Sequence, residues 1–144
     1  MSRVYTCDRL VEFRDTDASG LMHFSTYFLA MEEAEHALLR DIGFSVWQPL
    51  ATGGKLSWPR VSVRCDYRGP VTFEQLLRIE VRVARLGEKS VTYAFSFRCG
   101  ERLVAEGQVT AVCCLIVAGE PPRSLPIPAD FRGKLSEFLS DPSA

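Results

Sequence analysis

One uninterrupted stretch, residues 25–42, constrains the fold most, because it contains neither proline nor glycine and is followed directly by Gly43. Its apolar residues recur at spacings of three and four and form a single stripe: Tyr27, Met31, Ala34, Leu38 and Ile42. Charged and polar residues, Glu35 among them, occupy most of the other positions. Ser25 or Thr26 is a suitable N-cap, and glycine is favoured just after a helix ends. The pattern predicts one long amphipathic helix.

Outside this helix the hydrophobic period changes from 3.6 to 2, which is the alternation typical of strands. Strands are predicted in these segments: 3–14, 57–67, 75–86, 89–99 and 102–118. Phe13 is expected on the apolar face of the first. Glycine-containing turns follow the next three, so consecutive strands are expected to be antiparallel neighbours. The chain is therefore predicted to be α+β, with the long helix covering one face of a five-stranded antiparallel sheet.

The length of 144 residues predicts a single domain over 1–144. Residues 119–144 are expected to form a proline-rich tail, with a short helix near 128–139. A helix of about 27 Å, at roughly 1.5 Å per residue, is too short to cover five long strands. The apolar surface left over predicts a homodimer or a homotetramer.

Composition excludes several classes of function. The formal net charge of -1 disfavours a nucleic-acid binder that depends on a broad basic surface. The N-terminal residues have no apolar core of signal-peptide length, and the longest apolar run is about half a membrane span, so a cytoplasmic protein is expected. The five cysteines form no C-x-x-C pair and there are two histidines, so a bound metal is not expected. No cofactor is expected either.

The candidate chemistry lies just before the long helix. The first amides of a helix lack internal partners and carry partial positive charge, which suits an oxygen that gains negative charge. Asp17 lies on the approach to these amides, and Gly20 allows the backbone to turn tightly behind it. A carboxylate beside an oxyanion site is a minimal arrangement for opening an acyl bond. The alternative is that Asp15 and Asp17 are merely turn formers.

Several segments resemble the 4-hydroxybenzoyl-CoA thioesterase-like family of hotdog-fold proteins. The likeness rests mainly on Asp15-Thr16-Asp17-Ala18-Ser19-Gly20 and the following Leu21 to Phe28. It extends to Glu32, to Val63-Arg64-Cys65-Asp66-Tyr67 with Pro70, and to Ala105-Glu106-Gly107-Gln108-Val109. The resemblance implies a hotdog fold and hydrolysis of an acyl-CoA or acyl-carrier thioester in a site shared between two subunits.

The resemblance also implies roles for particular residues. Asp17 matches the family's catalytic aspartate, as general base or as nucleophile, and Phe24 matches the position whose backbone N–H binds the thioester oxygen. The substrate-binding candidates are Gly20, His23, Tyr27, Glu32 and Trp58. The candidates for coenzyme A binding flank a predicted hairpin turn: Arg85, Lys89 and Ser90. Each has a structural alternative, such as a core position for Tyr27 and Trp58, an ion pair with His36 for Glu32, or plain solvation for the cations.

Three functions remain open from the sequence. The first is an acyl-CoA thioesterase acting on an aromatic or a short- or medium-chain acyl group. The second is a hydrolase that releases fatty or polyketide chains from an acyl carrier protein, and the third is a non-catalytic acyl-CoA-binding protein. A hotdog hydratase is less favoured, because no second acid–base group stands beside Asp17 in the sequence. The chain contains no G-x-S-x-G elbow and no zinc-protease motif.

Overall fold

The computed structural model describes residues 2–140. Two helices flank or cover the strands: α1 (Thr26–Asp41) and α2 (Ala129–Ser136). The strands follow one another in this order: β1 (Tyr5–Leu10), β2 (Gln48–Pro49), β3 (Lys55–Ser57), β4 (Arg60–Tyr67), β5 (Leu76–Leu86), β6 (Ser90–Cys99), β7 (Arg102–Val112), β8 (Cys114–Ile116) and β9 (Arg123–Ser124). A 3-10 turn, Phe13–Asp15, links β1 to the loop before α1.

The main sheet has the strand order β1-β5-β6-β7-β4, and every pair in it is antiparallel. The prediction that consecutive strands are neighbours is confirmed for β5–β6 and β6–β7. It is wrong for β4, which pairs with β7, because the chain after Tyr67 crosses the end of the sheet before β5 begins. Strand β4 is therefore an edge strand. The loop of residues 68–75 lies against the segment that precedes α1, where the Met22 amide donates to the Val71 carbonyl.

Helix α1 lies on one face of this sheet, as its pattern predicts. The stripe residues Tyr27, Met31, Ala34 and Leu38 are all buried. Gly107 on β7 allows the closest approach, because a Cβ built there would overlap the sulfur of Met31. At the other end of the helix Gly43 has a φ of 92°, the left-handed conformation expected just after a helix C-terminus.

Smaller predictions had mixed outcomes. The helix near 128–139 is confirmed as α2, with Phe131 and Leu135 buried. The predicted strand 102–118 divides at Cys113 into β7 and β8, and β8 belongs to a second, smaller sheet with β2, β3 and β9. Phe13 was expected on an apolar face and is 77% exposed, because the strand ends at Leu10 and a 3-10 turn reverses the alternation.

The α+β hotdog architecture predicted from the sequence is confirmed: one long helix covers a five-stranded antiparallel sheet. Within residues 2–140, neither helix has the length and apolar character needed to span a bilayer.

Candidate active site

Asp15 anchors the loop between β1 and α1. Its carboxylate is buried and accepts hydrogen bonds from Arg9 Nη2 and from the amide of Glu12, both at 2.9 Å. Its backbone carbonyl accepts the amide of His23 at 2.7 Å. These contacts fix both ends of the loop, so Asp15 has a structural role.

Asp17 differs from Asp15 in being exposed at the tip of the turn. Its Oδ1 accepts hydrogen bonds from the Ser19 hydroxyl and, at 2.8 Å, from the Ser19 amide. Gly20, with a φ of 82°, makes the turn behind it. The Ser19 hydroxyl and amide hold the pKa of the Asp17 carboxyl below its usual value, and the charge of His23 adds to this. The carboxylate is therefore ionised at neutral pH, as a base or nucleophile must be.

The Phe24 amide lies between this turn and α1. The neighbouring amides are engaged, with His23 bonded to Asp15 and Ser25 to the His23 ring at 3.2 Å. Among residues 2–140 the amide of Phe24 donates to no protein acceptor. Its carbonyl accepts the Tyr67 hydroxyl at 2.7 Å. The loop is thus held in place from β4 while one amide remains available for a ligand.

Asp17 and Phe24 line the same pocket, which has a volume of about 450 Å³. Its other walls come from the helix start, from β4 and from the loop that crosses the end of the sheet: Ser19, Leu21, Met22, Tyr27, Tyr67, Gly69, Pro70 and Val71. The crossing loop is tied to the segment that follows the Asp17 turn by the Met22 amide, which donates to the Val71 carbonyl at 2.7 Å. The residue with the exposed carboxylate and the residue with the unengaged amide therefore line one space, together with largely apolar walls.

Some of the other predicted substrate-binding residues lie at the Asp17 pocket and others lie away from it. Tyr27 is buried and lines the pocket, whereas Gly20 and His23 shape the turn beside it. Glu32 is exposed two helical turns further along α1 and lines a different pocket. Trp58 is buried against Phe131, with ring centroids 5.1 Å apart, and does not line the Asp17 pocket. Within residues 2–140 no cluster of His, Cys, Asp or Glu is arranged to hold a metal ion.

The predicted coenzyme A residues lie at the opposite end of the sheet within one protomer. Arg85 and Lys89 are exposed and Ser90 partly so, around the β5–β6 hairpin. On β7, Ser90 pairs with Val112, whereas Tyr67, which lines the pocket, pairs with Ala105. Ala105 and Val112 are about 20 Å apart along the strand at roughly 3.3 Å per residue. One chain by itself therefore does not bring these cations to its own Asp17.

Sequence reasoning did not assign seven of the pocket-lining residues to the site, among them the two with hydroxyl groups, Ser19 and Tyr67. Ser19 belongs to the motif that was recognised, and its position two residues after Asp17 is the usual geometry of a local Asx hydrogen bond. Tyr67 is the last residue of the strand pattern that includes Val63. That pattern indicated which face it occupies, while its bond to the Phe24 carbonyl depends on tertiary contact.

A second pocket, of about 170 Å³, lies between α1 and β4 further from the helix start. It contains Glu35, which the pattern assigned to the polar positions of the helix but which is 1% exposed. The Arg60 guanidinium forms an ion pair with Glu35, with Nη2 2.9 Å from Oε2. Burial raises the pKa of Glu35 to about 7, and Arg60 opposes this rise.

Comparison with known families gives one clear match. A family model described as the thioesterase-like superfamily matches residues 11–135. A 1,4-dihydroxy-2-naphthoyl-CoA hydrolase from Prochlorococcus marinus (strain MIT 9303) is 31% identical over 107 residues, which are 70% of this chain and 71% of that protein. The acyl-CoA thioester hydrolase YbgC of Escherichia coli O6:H1 is 23% identical over 85% of this chain and 91% of its own length.

Solved structures agree with this match. A 1,4-dihydroxy-2-naphthoyl-CoA thioesterase from Synechocystis superposes with a TM-score of 0.81 at 19% identity, over 93% of this chain and 96% of that chain. A gentisyl-coenzyme A thioesterase superposes with a TM-score of 0.75 at 25% identity, over 92% and 99%.

Proposed function

Because this chain belongs to the thioesterase-like superfamily and is a thioester hydrolase, we propose that Asp17 and the Phe24 amide act together on the carbonyl of a bound acyl-CoA. One observation carries the proposal: Asp17, whose carboxylate is ionised, and Phe24, whose amide has no protein acceptor among the described residues, line the same 450 Å³ pocket. Coenzyme A enters as part of the substrate, and water is the sole co-substrate, so the reaction requires no cofactor.

The proposed reaction follows from where charge develops. Asp17 takes a proton from water as the water oxygen attacks the thioester carbon, and the carbonyl oxygen becomes negative toward the Phe24 amide. The tetrahedral intermediate then collapses, the carbon–sulfur bond breaks, and the proton passes to the thiolate. In the alternative route Asp17 attacks directly and forms an anhydride that water hydrolyses. A single oxyanion donor of this kind lowers the barrier by about 3 kcal/mol.

An aromatic acyl group is the substrate class that the pocket favours. Tyr27, Tyr67 and the exposed ring of Phe24 provide flat apolar walls, which suit a planar ring. Desolvation raises the pKa values of the Tyr27 and Tyr67 phenols to about 12, so both side chains stay neutral. The relatives named for dihydroxynaphthoyl-CoA and gentisyl-CoA support the same class.

A homodimer through β4 is part of the proposal. The edge strand exposes Val61, Val63 and Tyr67 at 61%, 51% and 45%, and Phe24 and Leu29 are exposed beside them. An unpaired edge with a contiguous apolar patch is usually covered by another chain. Two copies paired antiparallel along the whole of β4, about a two-fold axis normal to the sheet, place both helices on the same face.

Such a dimer explains the distant coenzyme A candidates. Pairing over Arg60–Tyr67 sets Arg60 of one protomer opposite Tyr67 of the partner subunit. The β5–β6 hairpin lies at the Arg60 end of the sheet, since Arg60 pairs with Ala111 and Ser90 with Val112. Arg85, Lys89 and Ser90 of one protomer are therefore proposed to bind the coenzyme A phosphates of substrate held by the other.

The experiment measures free thiol release from a panel of aromatic and aliphatic acyl-CoA esters by the wild type and by Asp17→Asn. Asparagine retains an oxygen that accepts the Ser19 bonds, so the turn is expected to survive. Loss of the base should lower kcat/KM by about 100- to 10,000-fold, whereas Asp41→Asn, an exposed position at the end of α1, should have no effect. Tight acyl-CoA binding without thiol release, or release only from a carrier protein, would contradict the proposal.

A further inference from the structure

The pocket between α1 and β4 combines apolar walls with two charged side chains at its base. Its 170 Å³ are lined by Phe28, Leu29, Glu32, Glu35, Arg60, Val63 and Val109. The proposed reaction does not use Glu35 or Arg60, and the comparisons name no role for this pocket.

Glu35 Oε1 is a buried acceptor without a hydrogen-bond donor among the described residues. The other carboxylate oxygen, Oε2, has Arg60 Nη2 2.9 Å away. Buried polar atoms in folded proteins almost always have a partner, so an unpartnered oxygen on a residue that lines a pocket needs an explanation. A ligand that reaches into the pocket would supply the missing donor.

The surroundings determine what kind of group fits. Arg60 also donates to the Trp58 carbonyl at 2.8 Å, so its guanidinium is held from two sides. Glu35 Oε1 has no cation as close as the one beside Oε2 and no donor among the described residues, so its capacity to accept a hydrogen bond is unused. The group that it binds must donate a hydrogen bond and be carried on an apolar body, which describes a hydroxyl on a ring.

The pairing of the edge strands determines whether Glu35 lies near substrate bound by its own protomer or by the partner subunit. Within one protomer Glu35 is nine residues along α1 from Thr26, where the helix begins two residues after Phe24, about 14 Å at roughly 1.5 Å per residue. In the β4-paired dimer, Arg60 lies opposite Tyr67 of the partner subunit. The Glu35 pocket of one protomer then adjoins the catalytic pocket of the other.

We propose that Glu35 accepts a hydrogen bond from a hydroxyl on the acyl group of substrate bound in the partner subunit's catalytic pocket, with Arg60 holding the carboxylate in place. This inference rests on the proposed function and on the β4 dimer. It makes Glu35 the residue that selects hydroxylated acyl groups over unsubstituted acyl groups of the same shape.

The first test compares matched substrates: 4-hydroxybenzoyl-CoA with benzoyl-CoA, and 6-hydroxy-2-naphthoyl-CoA with 2-naphthoyl-CoA. The wild type should prefer one or both hydroxylated esters by about 10- to 100-fold in kcat/KM, the range for a hydrogen bond to a charged group. The double variant Glu35→Leu with Arg60→Met removes the pair without leaving a lone buried charge, and its preference should fall to about one. The Asp41→Asn control should keep the wild-type preference.

A hybrid dimer tests whether Glu35 acts across the interface. An Asp17→Asn chain and a chain carrying Glu35→Leu with Arg60→Met are given different tags, co-expressed and purified as the mixed dimer. Its one site with an intact Asp17 should recover the hydroxyl preference, because Glu35 comes from the other chain. A preference that stays near one would overturn action across the interface.

The failures of the two proposals are distinguishable. A wild type that hydrolyses none of the four esters contradicts the proposed function. A wild type that hydrolyses them, with the same hydroxyl preference in the double variant, overturns the role of Glu35 and leaves the function standing. Thermal unfolding of each variant, recorded beside the kinetics, identifies any loss of the folded dimer.

Discussion

Replacing Glu35 with glutamine should make the free energy of unfolding less dependent on pH. Burial raises the pKa of this carboxyl from 4.5 to about 7, so the stability due to its protonated form is complete below pH 4.5 and lost as the pH rises through 7. A pKa difference of about 2.5, at about 1.4 kcal/mol per unit, gives a loss of about 3 kcal/mol. The charged and titratable groups around it are Arg60 on β4, Glu32 and His36 on α1, and Tyr93 on β6.

The assay is denaturant unfolding of wild type and Glu35→Gln at several pH values between 4 and 8, at one protein concentration. Other titrating groups contribute equally to both proteins and cancel in the difference. The free energy of unfolding of Glu35→Gln minus that of the wild type should rise by about 3 kcal/mol from the low to the high end of this pH range. The Asp41→Asn control should follow the wild type. Parallel pH profiles for wild type and Glu35→Gln would refute the reasoning that burial raises the pKa of this carboxyl.

Three further outcomes are expected. Ser19→Ala removes the hydroxyl that most lowers the pKa of Asp17, so the acidic limb of the kcat/KM profile should move to higher pH, and an unmoved limb would contradict this. Tyr67→Phe removes the bond to the Phe24 carbonyl, about 1 kcal/mol, and should lower kcat/KM about five-fold without dissociating the dimer; full activity would argue against a positioning role. Val63→Arg should yield monomers in sedimentation, whereas an intact dimer would exclude the β4 interface.

The sequence predicted the long helix well because local spacing alone determines which residues share a helix face. It assigned Glu35 wrongly because burial of a carboxylate depends on Arg60, which comes from another element. An i, i+3, i+4 pattern identifies the residues at the centre of the buried face of a helix. Whether residues at the edge of that face, such as Glu35, are also buried depends on how closely the sheet approaches the helix. Gly107 allows that approach, and its effect on Met31 is visible only once the helix lies on β7.

The strands were predicted for the same local reason, and their order was predicted less well. The turn after Tyr67 has the residues of a hairpin, yet β4 pairs with β7. Short-range turn chemistry does not indicate whether a chain folds back beside its own strand or crosses to another. The pocket depends on that crossing, since Pro70 and Val71 form its far wall. Asp17 could therefore be identified by resemblance, while the wall facing it could not.

The account's central claim is that Asp17 and the Phe24 amide act on one carbonyl. The most direct measurement is a crystal structure with an acyl-CoA analogue in which a methylene group replaces the thioester sulfur, which gives a ketone that the enzyme cannot hydrolyse. The account predicts the analogue's carbonyl oxygen about 2.7–3.1 Å from the Phe24 nitrogen, with the Asp17 carboxylate facing the carbonyl carbon directly or through one water. A carbonyl bound elsewhere, with the Phe24 amide and Asp17 both turned to solvent, would contradict it.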